Sequence, residues 1–292
     1  MKNGLVMEGG AMRGMFTVGV LDVFMENNIN FDGAIGVSAG AVFGCNIKSK
    51  QIGRAIRYNK KYCSDIRYGS MMAWLITGDL YSENFCYGKV AYELDPFDIK
   101  TYRENPMEFY VVCTDVMTGK PFYKKLERGN GKDMAYFRAS ASMPIVSKPV
   151  KVDGRLLLDG GISDSIPLRK MERLGYERNL VILTQPEDYR KEPVEKMKLM
   201  KLALARYPKL GRAMEVRHIM YNRELDHVRR EEEAGKALVI RPKEDLKIGK
   251  TEKNPEELER VYQLGREAAE ERLDEIKKWL SEADLKEKVL KK

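Results

Sequence analysis

Phe31-Asp32-Gly33-Ala34-Ile35-Gly36-Val37-Ser38-Ala39-Gly40-Ala41 is the stretch that decides how this chain folds. Phe31–Val37 is apolar and strand-like, whereas Ala39–Lys48 reads as a helix. The pentad Gly36-Val37-Ser38-Ala39-Gly40 between them has the form G-x-S-x-G. A sharp strand-to-helix turn needs small residues on both sides, because larger side chains would collide with the backbone. Such a turn lifts the serine hydroxyl out of the packed layer, which is the geometry of a nucleophile elbow. Ordinary Gly and Ser usage produces such a pentad by chance in roughly one chain in ten of this length. Its companions therefore carry much of the weight.

Upstream, the short apolar run Gly4–Glu8 leads into Gly9-Gly10-Ala11-Met12-Arg13-Gly14, and residues 15–25 look helical. Glycines at a strand end let backbone N–H groups converge on one point, and the following helix N-terminus adds partial positive charge. An acyl-transfer enzyme needs such donors where its oxyanion develops. Taken alone, the loop also reads as an ordinary tight turn. As a nucleotide phosphate loop it fits neither G-x-G-x-x-G nor the Walker spacing. Downstream, Leu156-Leu157-Leu158 runs into Asp159-Gly160-Gly161. By itself Asp159 reads as a turn aspartate capping its own loop. Together the three motifs describe oxyanion donors, a nucleophile and a carboxylate at a strand end.

A Ser-acid-His triad needs a histidine after the acid. The two in this chain, His218 and His227, both fall in the charged, helix-like region 212–233 and read as surface residues. Ser38 also follows only two candidate strands, early for an α/β-hydrolase. The expectation is therefore a Ser38–Asp159 dyad in which the carboxylate takes the serine proton. Partial burial would raise its pKa from a reference near 3.9 toward the working range.

The order Gly-Gly-x-x-Arg-Gly, G-x-S-x-G, Asp-Gly-Gly resembles the bacterial patatin-like phospholipase family. Thr114–Pro121 resembles that family's strand and hairpin, and Ala139–Pro144 the segment preceding its dyad aspartate. The resemblance implies Ser38 as nucleophile, Asp159 as base, and an oxyanion loop at Gly9, Gly10, Ala11, Met12, Arg13 and Gly14, with Gly36 and Gly40 shaping the elbow. Ala11 stands where the family usually has a third glycine.

Strand-like runs at Gly4–Met7, Phe31–Val37, Phe109–Thr114, Val150–Leu158 and Leu180–Thr184 alternate at first with helix-like stretches. This predicts an α/β fold with a mostly parallel central sheet and helices on both faces. Ligands in such sheets bind beyond the carboxyl ends of strands, where Gly9, Ser38 and Asp159 all fall. Tyr68–Tyr92, with Met71, Met72, Trp74 and Phe85, reads as core packing, with an acyl-chain lining as the alternative. The chain changes character near Pro186. Residues 1–186 read as the catalytic domain and 187–292 as a charged, mainly helical extension, with a short strand at Ala237–Arg241. Asn254 and Pro255 open a helix there.

No secretory signal follows Met1-Lys2-Asn3, and no apolar run approaches a membrane span. Cys45, Cys63, Cys86 and Cys113 are scattered without a C-x-x-C pair, as in a reduced cytoplasmic protein. No metal or organic cofactor is expected. The net charge is +8, but basic residues interleave with acids along most of the chain and no nucleic-acid motif is present. The exception, Lys196–Arg212, has six basic residues interleaved with apolar ones and no acid. It reads equally as an amphipathic helix on an anionic membrane surface or as a solvated face. The expected function is hydrolysis of lipid carboxylic esters through a Ser38 acyl-enzyme. The alternatives are an acyltransferase or thioesterase using the same dyad, or a non-catalytic lipid-binding regulator.

Overall fold

The computed structural model describes residues 1–69, 78–79 and 81–290. In chain order the first elements are β1 (Lys2–Met7), α1 (Gly14–Glu26), β2 (Gly33–Val37), α2 (Ala39–Val42), α3 (Cys45–Ser49) and α4 (Arg54–Tyr62). Then come α5 (Glu83–Leu94, wound in the wide π register), α6 (Ile99–Glu104), β3 (Glu108–Asp115), β4 (Pro121–Lys125) and α7 (Lys132–Ser140). β5 (Val150–Val152), β6 (Arg155–Asp159), α8 (Leu168–Arg173) and β7 (Tyr176–Ile182) follow. The chain ends with α9 (Met197–Ala203), α10 (Pro208–Glu233), β8 (Ala237–Ile240), α11 (Pro255–Glu270) and α12 (Leu273–Leu290).

The strands form one sheet in the order β5-β6-β3-β2-β1-β7-β8, with β4 also paired to β3. From β3 to β8 the neighbours are parallel, whereas β4, β5 and β6 join antiparallel. Alternate strand residues enter separate cores, as a sheet covered on both faces requires. Leu5, Met7, Leu180, Ile182, Leu238 and Ile240 pack with α1 and α11 on one face. Val6, Val181 and Val239 pack with α8 and α10 on the other, beside Tyr221 and Leu225. The expected α/β sheet with helices on both faces is thus present. β8 extends its parallel edge, so residues beyond 186 add a strand as well as helices.

α1 is buried from Gly14 to Met25 because α11 covers its outer side. The two helices touch at glycines: a Cβ on Gly19 would lie 2.1 Å from the Tyr262 carbonyl oxygen, and one on Gly265 2.0 Å from that of Phe16. At the head of α11, the Asn254 side chain accepts the Glu256 N–H at 2.9 Å, the expected N-cap.

Two expectations are corrected in detail, and one further helical stretch is divided. Val150–Leu158 is a hairpin, because Asp153 and Gly154 turn with positive φ and reverse the chain. Ala39–Lys48 is two short helices, α2 and α3, interrupted at Phe43-Gly44. Residues 255–290 are likewise two helices, broken at Glu271-Arg272.

Candidate active site

Sheet register places the motifs together. Met7 pairs with Gly36, Val37 with Val112, and Cys113 with Asp159. Continuing the first pairing sets Gly9 beside Ser38, and a Cβ on Gly9 would lie 2.9 Å from the Ser38 Cβ. Asp159 reaches this row on β6, which runs against β3 rather than with it.

Ser38 has φ 53° and ψ −123°, a strained conformation for a residue with a side chain. Its backbone is well held. The Ser38 N–H donates to Ser140 Oγ at 2.9 Å, and the Ser140 hydroxyl donates to the Val112 carbonyl at 2.6 Å. The N–H groups of Ala41 and Val42 both donate to the Ser38 carbonyl at 3.0 Å. The flanking glycines are required by close approach: a Cβ would lie 2.4 Å from the Gly40 carbonyl oxygen at Gly36, and 2.5 Å from that of Met7 at Gly40.

The Ser38 hydroxyl donates to Asp159 Oδ2 at 2.7 Å, and the Gly161 N–H donates to Asp159 Oδ1 at 2.8 Å. Asp159 is only 2% exposed. Burial pushes its carboxyl above the usual range, against the Ser38 hydrogen bond, the positive charge of Arg217 and the Gly161 N–H. Arg217 Nε donates to the Gly161 carbonyl at 2.6 Å, which fixes that guanidinium beside the carboxylate.

In the glycine loop Ala11 adopts φ 50°, so its methyl group sits in the left-handed region that a glycine would enter freely. Ala11–Arg13 makes a single tight turn before α1 begins at Gly14. The Arg13 N–H closes this turn on the Gly10 carbonyl at 3.1 Å. Among the described residues, no hydrogen bond engages the N–H groups of Gly10, Ala11 or Met12. Behind the loop, buried Glu8 accepts the Thr184 N–H at 2.7 Å and the Tyr221 hydroxyl at 2.5 Å. This clamp ties the end of β1 to β7 and α10.

Ser38, Asp159 and the loop residues Gly9 to Arg13 line a cavity of about 780 Å³. Its apolar lining includes Val42, Phe43, Val90, Phe97 and Phe137. Its cations are Arg13, Arg54, Lys191 and Arg217, with the exposed Lys250 and Lys253 at the rim. Tyr68, Gly69, Tyr81, Cys86, Tyr87, Val90 and Ala91 belong to the wall, so much of 68–92 lines the cavity rather than only packing the core. Phe85 is buried in the core, and Met71, Met72 and Trp74 lie outside the described residues. Cys45, Cys63, Cys86 and Cys113 are free, and burial pushes the thiols of Cys45 and Cys86 up to about 12.

Of the two histidines, His227 is not a surface residue. His227 is 9% exposed and its Nε2 lies 2.8 Å from Glu172 Oε1, while His218 is half-buried. Neither lines the cavity. Sequence reasoning gave no role to Glu8, Ser140, Lys191 or Arg217. Each acts through a contact with a distant part of the chain, so local sequence does not state its role, even for Ser140 inside the segment Ala139–Pro144.

A serine on a strained strand-to-helix turn, bonded to a buried carboxylate and faced by a glycine loop, defines an α/β protein of the nucleophile-elbow class. The chain belongs to the patatin-like phospholipase family, whose model matches residues 5–171. A second model, for a domain of unknown function (DUF6363), matches residues 207–281. The uncharacterized protein YjjU of Escherichia coli is 32% identical over 199 residues, 62% of this chain and 52% of that protein. The lysophospholipase nte1 of Aspergillus fumigatus is 29% identical over 177 residues, 59% of this chain and 11% of that protein. The matches thus span about half of the first relative's length and about a tenth of the second's. The structure of VipD from Legionella pneumophila aligns with a TM-score of 0.47 at 13% identity, covering 94% of this chain and 67% of that one.

Proposed function

We propose that this protein hydrolyses lipid carboxylic esters through an acyl-enzyme on Ser38, with Asp159 as the base. The observation that carries this reading is the 2.7 Å hydrogen bond from Ser38 Oγ to Asp159 Oδ2 at the wall of a largely apolar cavity. Family membership and the similarity to a lysophospholipase support a lipid ester as the substrate class. Ser38 Oγ attacks the ester carbonyl carbon as its proton passes to Asp159. The free N–H groups of Gly10, Ala11 and Met12 are available to the oxyanion of the tetrahedral intermediate. When the intermediate collapses, the leaving alcohol takes the proton back. A water then gives a proton to Asp159 and attacks the acyl carbon, freeing the fatty acid and returning the proton to Ser38.

The strained φ of Ser38 supports this reading, because such strain clusters at functional sites and here keeps the hydroxyl on the cavity wall. In the same reading, residues 1–186 are the catalytic unit and 187–292 an extension packed on it. Access to membrane lipid falls to α9, where Leu199 and Leu202 are 63% and 74% exposed beside Lys198. A fluorophosphonate probe should label the wild-type protein once, at Ser38. Ser38→Ala should abolish both labelling and ester hydrolysis while the circular dichroism spectrum is unchanged. Full labelling of that variant would reject Ser38 as the nucleophile.

A further inference from the structure

The described surface of this protein pairs many of its cations. Arg190 meets Asp226, Lys201 and Arg212 share Glu215, and Arg241 lies between Glu187 and Glu232. Most of the cations at the cavity are different, although Arg54, which also lines it, lies 3.7 Å from Asp95. Among the described residues, Arg13, Lys191, Arg217, Lys250 and Lys253 have no carboxylate at ion-pair distance. The acids lining the cavity are Glu8 and Asp159. Both oxygens of Glu8 are occupied by Thr184 and Tyr221, and both of Asp159 by Ser38 and Gly161. The Arg13 Nε is buried with no hydrogen-bond partner.

Two of these cations are also held in place. Arg217 is tethered through Nε to Gly161, two residues from Asp159. The Lys191 ammonium sits 4.4 Å from the Tyr221 ring centre and near the Tyr189 hydroxyl at 3.5 Å. A cluster of cations without ion-pair partners, two of them held in place, beside an apolar chamber matches one ligand shape: an acyl chain ending in an anionic group.

We propose that Lys191 and Arg217, aided by Arg13 and the rim lysines Lys250 and Lys253, form a subsite for the phosphate of a lipid head group. The acyl chain then lies along the apolar lining, and its ester lies at Ser38. Lys191, Arg217, Lys250 and Lys253 all lie beyond residues 5–171, and the last three lie within 207–281. The region after residue 186 therefore selects the head group, a role for the segment matched by the domain of unknown function. The proposal rests on Ser38 being the acyl-accepting nucleophile.

The electrostatics agree. The Lys191 ammonium is brought down to about 8 by burial and by repulsion from Arg217, Arg13 and Lys250, against the attraction of Glu8. A phosphate arriving among these groups relieves that repulsion.

The test is a binding measurement by isothermal titration calorimetry with the Ser38→Ala protein, so that turnover plays no part. The ligands are lauroyl glycerol phosphate, lauroyl glycerol and glycerol phosphate, each below its critical micelle concentration. The acylated phosphate should bind at least about tenfold tighter than the uncharged lipid, the scale of charge-assisted hydrogen bonds. Glycerol phosphate alone should bind far more weakly than its acylated form. Adding Lys191→Met and Arg217→Met should shrink the phosphate preference to less than about threefold. Equal affinities for the two lipids in the Ser38→Ala parent would overturn the subsite, whether or not the further variants fold. A preference that survives both substitutions would overturn the residue assignment. Equal binding of glycerol phosphate and its acylated form would mark a free-phosphate site instead. Failure of the hydrolase reading would look different: a phosphate preference in binding, but no probe labelling and no hydrolysis by the wild-type protein.

Discussion

In the proposed mechanism Asp159 must be ionised to take a proton from Ser38, yet burial favours its neutral form. Arg217 is the charged group that opposes burial. Activity on a soluble ester should therefore rise with pH along an acid limb lying above the ordinary aspartate value of about 4. Arg217→Met removes the positive charge and should move that limb to still higher pH. Arg217→Lys should restore most of it. A limb in the same place in all three proteins would mean that Arg217 does not tune Asp159. Ser38 and Asp159 were legible because each lies in a short string whose glycines serve local needs: room for a turn, or close approach of another backbone. Ser140 was not, because its role is to accept the N–H of a residue 102 positions away. Arg217 was hidden for the same reason, in a helix where charged residues are common.

At the scale of elements, the basic stretch 196–212 is a short helix and a turn leading into α10, not one continuous amphipathic helix. Its charge is partly compensated, since Lys201 and Arg212 both lie 2.7 Å from Glu215. The sequence hid that pairing because Glu215 lies beyond the stretch. Exposed on α9 are Lys198, Leu199, Lys201, Leu202 and Ala203, and of its two lysines Lys198 is the one with no carboxylate at ion-pair distance among the described residues. Two exposed apolar side chains beside a cation suit the boundary of an anionic bilayer. Leu199→Ser with Leu202→Ser should reduce co-sedimentation with anionic vesicles several-fold, and Lys198→Glu should reduce it further as about 1 kcal/mol of surface attraction is lost. Equal binding to neutral and anionic vesicles, unaffected by these changes, would make α9 an ordinary surface turn. The periodicity of the strands was easier to read than the breaks between helices. A hairpin at Asp153-Gly154 or an interruption at Phe43-Gly44 costs only one or two residues, too few to disturb an apolar pattern.

At the scale of the whole molecule, α1 lies between the sheet and α11, and Asp22 is where three helices meet. The Tyr262 hydroxyl donates to Asp22 Oδ2 at 2.9 Å, and the Gly53 N–H, just ahead of α4, donates to it at 3.0 Å. Burial raises the Asp22 carboxyl to about 6, more than these two hydrogen bonds lower it. Below about pH 4 the group is protonated in both folded and unfolded chains. Between there and about 6 only the folded chain keeps the proton, so this stabilisation is lost as pH rises through that window. Asp22→Asn keeps an acceptor and cannot ionise. Its thermal midpoint should exceed the wild type by a few degrees at neutral pH, and the gap should close as pH falls toward 4. A constant gap across that range would show that Asp22 does not titrate as described.

The cavity draws its lining from distant parts of one chain. The serine, the carboxylate and most of the apolar lining come from the first two-thirds, whereas Lys191, Arg217, Lys250 and Lys253 come from beyond residue 186. Evolution can therefore edit them separately. Changes at 191, 217, 250 or 253 could turn a lineage toward a different head group while the reaction itself descends intact. Duplicated copies could then diverge in diet while sharing the same chemistry.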